Sequence, residues 1–230
     1  TFQSGWDIMM RPENEMQSLR KLGYWVSLIE IVLAVAYLAA VAAMFITGTI
    51  PPAEPYISIV SVVSLTSAPL FVFLWAILHN TAPSQTRIFT QTSLALIVIF
   101  ATLTSINRYV ALTVVRQSMD MGITDGLNWF MPYGWPSIMA AMEVLAWGFF
   151  LGLAFLFLAP IFRKGRLELA IFWTLIISGI LALVAVLGQV MNSVVLNMLG
   201  IIAWGPGLIV LFSLLASWFR NTKPIQSMHI

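Results

Sequence analysis

Three ionisable side chains fall inside long apolar runs of this sequence: Glu30, Arg108 and Glu143. A charge in hydrocarbon is costly, so such residues mark places of pairing, proton carriage or ligand contact. Arg108 lies about six residues past the middle of its run, and Glu143 about six before the middle of the next. At about 1.5 Å of rise per residue, both sit roughly 9 Å from the centre on the same side. Adjacent antiparallel helices would bring them together, so the spacing predicts an Arg108–Glu143 pair. Around that level gather Thr104, Ser105, Asn107 and Tyr109, with Gln189, Asn192 and Asn197 from later runs. Trp147 follows Glu143 by one helical turn and shares its face, and Trp204 is a second indole in a related context. Together Arg108, Glu143, Asn107, Tyr109, Trp147, Gln189, Asn197 and Trp204 would form a polar pocket with aromatic walls. The same residues also fit a structural ion pair whose arginine snorkels to the nearby interface.

Glu30 stands apart, in the first half of its run, with Arg87 and His79 as the nearest partners by depth. It reads either as a neutral, hydrogen-bonded side chain or as a proton or ion site in a coupled transporter. Other chemistry is scarce. The only histidines are His79 and His229, too few for paired haem ligands or a histidine metal site, so no cofactor and no metal are expected. No cysteine is present, which removes disulfides, thiolate ligands and cysteine nucleophiles. Asp7, Asp120 and Asp125 all fall outside the apolar runs, and no HExxH, GxSxG or phosphate-loop pattern occurs. The scattered methionines read as core filler.

The elements that must position these residues are membrane helices. Hydrophobic residues make up 60% of the chain and charged ones 9%, far from the soluble range. A helix needs about 20 apolar residues to cross the hydrocarbon. Stretches 24–47, 56–78, 88–115, 137–162, 169–190 and 195–219 qualify, predicting an all-α integral membrane protein of six spans with no soluble domain. The last two are joined by a tight hairpin at Asn192. Arg11, Arg20, Lys21, Arg87, Arg163, Lys164, Arg166, Arg220 and Lys223 fall on one side, and only Arg116 lies in the opposite loops. That bias puts both termini in the cytoplasm and the chain in the cell membrane. Residues 1–23 read as a cytoplasmic segment whose "PENEMQSLRKL" forms a short amphipathic helix on the inner face, 24–220 as the membrane domain, and 221–230 as a tail. The opening residues carry acids and no signal-type apolar core. The connection 116–136 is rich in aromatics, fitting an interfacial belt or a lid over an outward pocket.

"LAWGFFLGLAFLFLAPIFR" (145–163) aligns without gaps on "IAWGPGLIVLFSLLASWFR" (202–220), matching at nine of nineteen positions. A repeated hairpin, spans three–four and five–six, would produce this echo, as would the small alphabet of membrane helices. Pro69 and the "GPG" at 205–207 are expected to interrupt their helices. Gly148 and Gly152 have the spacing for close helix contact, within the monomer or between subunits. "SINRYVALTVVRQS" and "EVLAWGFFLGLA" resemble multi-pass prokaryotic membrane proteins, and that resemblance implies no activity. Three functions fit: a transporter or sensor binding a small molecule or lipid, a non-catalytic subunit of a membrane complex, and, with least support, a lipid-modifying enzyme. The lipid bilayer is the expected partner; without a basic tract interleaved with aromatics, nucleic acid is not.

Overall fold

Inside a bilayer every backbone amide must find a partner within the protein, and an α-helix supplies one in its own segment. The computed structural model describes residues 13–48, 54–132 and 136–221. Among these there is no strand, and six helices are long and apolar enough to cross a membrane. They are α1 (Glu13–Thr47), α2 (Tyr56–Thr81), α3 (Ser84–Asp120), α4 (Ile138–Ile161), α5 (Arg166–Val190) and α6 (Val194–Asn221). This is the architecture of a multi-pass membrane protein. Each helix packs on its neighbour in sequence, and the second half of α6 closes on α1, so the six form a ring. Because successive helices alternate in direction, Arg20, Lys21, Arg87, Arg163, Lys164, Arg166 and Arg220 gather at one end, called here the basic end.

The expected separate helix before the first span is instead continuous with α1 from Glu13 onward. Gly23 does not break it, because its missing side chain is filled from across the bundle. A Cβ there would lie 2.5 Å from the Phe219 ring of α6. The rest of the N-terminal segment, including Arg11, and the tail from 222 with Lys223 and His229 lie outside the described residues.

Pro69 does not interrupt its helix either: α2 runs unbroken through it. One missing N–H is tolerated where neighbouring helices support the segment. Gly205 does break α6, into Val194–Trp204 and Pro206–Asn221. Its φ of −100° and ψ of −97° turn the chain, and Pro206 then opens the second half, where its missing donor costs nothing. The hairpin between α5 and α6 forms where expected. Asn192 takes a left-handed φ of 52°, a conformation asparagine accepts more readily than most residues, and Ser193 N–H donates to the Gly188 carbonyl at 2.8 Å.

With lipid as apolar as leucine, close backbone approach and buried polar contacts hold the helices together. Gly148 and Gly152 face α5, within the monomer. A Cβ on Gly152 would stand 3.1 Å from the Gly179 carbonyl, and one on Gly179 would stand 2.9 Å from that of Gly152. Trp75 Nε1 donates to Ser93 Oγ at 2.8 Å, and Ser93 Oγ donates to the Ala154 carbonyl at 2.6 Å, tying α2, α3 and α4 together. The centre of the ring is filled by aromatic side chains. Phe71 meets Phe100 at 5.2 Å and Phe212 at 5.3 Å between centroids, and Trp75 stacks on Phe155 at 6.0 Å.

Candidate functional site

The predicted charge pair is present. Arg108 on α3 donates through a guanidinium nitrogen to Glu143 Oε1 on α4, and it is the one salt bridge among the described residues. Asn107 completes the arrangement, its Nδ2 donating to Glu143 Oε2 at 2.6 Å and to the Met139 carbonyl at 3.0 Å. Both carboxylate oxygens are therefore occupied by α3 donors. The Arg108 side chain is 0% exposed, so this arginine is sealed between helices and does not snorkel to an interface. Each helix makes a π-helical turn beside the pair, Ala111–Val115 in α3 and Leu145–Phe150 in α4. Such wide turns rotate the side chains that follow, and they recur at functional sites.

Glu30 has the opposite character. It is 1% exposed, and its Oε2 accepts from Ser67 Oγ at 2.6 Å, while Oε1 has no hydrogen-bond partner. It lines a narrow cleft between α1, α2, α4 and α6. On α1 the lining is Glu30, Leu33, Ala34 and Tyr37, the i, i+3, i+4, i+7 face of one helix. Ser67 and Phe71 come from α2, Trp147 from α4, and Trp204, Leu208 and Phe212 from α6. Phe71 and Phe212, in contact with each other, are the lining residues of α2 and α6 nearest the basic end. From Glu30 the cleft runs toward Tyr37, Trp147 and Trp204. Tyr37 stacks on Trp147 at 6.3 Å, and Trp204 Nε1 donates to the Trp147 carbonyl at 2.8 Å. That carbonyl is within reach because Trp147 sits in the π turn of α4, and Trp204 is placed by the Gly205 break. The two Ala-Trp-Gly segments of the sequence echo thus supply both irregular turns and both indoles of one wall.

The single pocket expected from the sequence is divided into separate groups. Asn107 joins the Arg108–Glu143 pair, and Trp147 and Trp204 join Glu30 in the cleft. Tyr109 belongs to neither: it is 62% exposed, because one residue of helix rotates it about 100° from Arg108. Gln189 and Asn197 satisfy each other at 2.5 Å across the α5–α6 hairpin and do not line the cleft. Glu30 pairs with Ser67, not with His79 or Arg87; His79 Nδ1 lies 2.8 Å from Thr90 Oγ1 instead. The long connection after α3 packs Leu127 and Met131 onto Ile57, Ala111 and Val115 of α2 and α3. None of its described residues lines the cleft, and residues 133–135 lie outside the description. Tyr37, Ser67, Phe71 and Phe212 escaped notice in the sequence, since an apolar run hides a serine or an aromatic that faces inward. Among the described residues no group of histidines and acids could hold a metal ion. No family model, curated protein or solved structure matches the chain.

Proposed function

We propose that this multi-pass membrane protein binds a small molecule or lipid in the cleft between α1, α2, α4 and α6, for transport or sensing. We further propose that both termini lie on the cytoplasmic side of the cell membrane, with the cleft directed away from it. The observation that carries the binding reading is Glu30 Oε1, a buried polar atom without a partner on a residue that lines the cleft. Ligand sites place a few polar groups among apolar walls. An unmatched buried oxygen costs about 1–3 kcal/mol, which a bound donor or cation would recover. The bias of basic residues toward one end supports the orientation. The Arg108–Glu143 pair serves here to position α4, and with it Trp147.

The test is native mass spectrometry of the chain released from mild detergent. Wild type is expected to carry a bound small molecule or a discrete lipid, and Ala34→Trp, which fills the cleft, is expected to lose it while keeping its helical signal. Identical adducts on both proteins, or none on wild type, would overturn the binding reading.

A further inference from the structure

The lining of the cleft also restricts what could occupy it. Among the described residues its only ionisable side chains are Glu30 and Tyr37, and no basic side chain lines it. An anion would therefore meet a carboxyl without a compensating cation. A small inorganic cation fares little better. Calcium takes six to eight oxygen ligands and magnesium a full octahedron, whereas the lining offers the Glu30 carboxyl, the hydroxyls of Ser64, Ser67 and Tyr37, and otherwise aromatic and aliphatic walls. Ser67 Oγ is already committed to Glu30, and Ser64 Oγ to the Val60 carbonyl at 2.9 Å. What the walls do provide is ring faces. Tyr37, Phe71, Trp147, Trp204 and Phe212 all contribute rings to the lining. A cation whose charge is spread over carbon-bound groups needs few oxygens and gains from such faces, more so where water is excluded.

We propose that the cleft is a site for an organic cation, an amine or quaternary ammonium whose charge meets Glu30 Oε1 and whose apolar groups lie against Trp147, Trp204 and Tyr37. This rests on the binding reading above and adds the charge of the ligand to it. Glu30 Oε1, at 1% residue exposure, is the counter-ion position, because Ser67 holds the other oxygen and Oε1 has no hydrogen-bond partner. The π turn of α4 and the break in α6 are the devices that bring the two indoles to it.

The experiment uses the full chain in lipid nanodiscs, titrated calorimetrically with benzyltrimethylammonium and with its uncharged carbon isostere, neopentylbenzene. Empty nanodiscs correct for partition into lipid. Wild type is expected to bind the cation saturably and at least about tenfold tighter than the isostere, the margin a desolvated cation–π and carboxylate contact supports. Glu30→Gln is expected to abolish that preference. If Glu30→Gln does not fold, the wild-type preference and its loss in Ala34→Trp decide the matter. Equal binding of both compounds, unaffected by Glu30→Gln, would overturn the cation assignment and leave the cleft as a binding site. Absence of saturable cation binding on wild type would also overturn it, while co-purified adducts lost in Ala34→Trp would separately preserve the binding reading.

Discussion

Two carboxyls in the same bundle, Glu30 buried and Glu143 13% exposed, show how neighbours, not residue type, decide a role. Glu143 receives donors on both oxygens, from Arg108 and from Asn107, and is spent on holding α3 to α4. Glu30 receives one, from Ser67, and keeps an oxygen in reserve. Removing one member of a buried ion pair strands the other charge, at about 3–5 kcal/mol, whereas replacing both by apolar residues is often neutral. Glu143→Ala is therefore expected to destabilise the chain by about that amount in reversible denaturant unfolding. The double variant Arg108→Met/Glu143→Leu is expected to recover most of it. Tyr109→Ala, on an exposed position, is expected to stay within about 0.5 kcal/mol of wild type in the same assay. The Arg108–Glu143 contact was legible in the sequence, because helix rise converts residue number directly into depth. The partner of Glu30 was not. Depth alone suggested charged residues, and Ser67, nearly neutral in hydropathy, carries no mark of facing inward until α2 is rotated into place.

At the scale of the helices, small residues and irregular turns do most of the positioning. The six spans followed from apolar length, and the Asn192 hairpin and Gly205 break from turn chemistry. Pro69 was the exception, since a proline in a supported membrane helix costs one hydrogen bond and need not end it. The π turns of α3 and α4 could not be foreseen, because no composition rule distinguishes a wide turn from an α turn. Contact between α4 and α5 depends on Gly152 and Gly179, each close to the carbonyl of the other. Gly179→Leu would push the two helices apart. It is expected to cost about 1–3 kcal/mol, the usual range for overpacking, and to loosen the cleft through displacement of Trp147. Denaturant midpoints, compared with an exposed control such as Ile180→Leu, would check this; an unchanged midpoint would mean the helices are not held by close approach.

For the molecule as a whole, the ring closure of α6 on α1 makes the cleft a property of four helices distant in sequence, which is why no local motif announced it. Orientation is testable with unusual economy, because the chain has no cysteine to remove. In intact cells, Asp125→Cys is expected to react with a membrane-impermeant maleimide and Gln85→Cys to react only after the membrane is permeabilised. The reverse pattern would place the basic end outside and overturn the proposed topology.

Phe71 touches Phe100 and Phe212, one turn of α2 beyond Ser67 toward the basic end. On the binding reading proposed above, a guest moving past Glu30 toward the basic end would meet these rings. Passage to the other side would demand a second arrangement of the same rings, with Phe71 swung clear of Phe212.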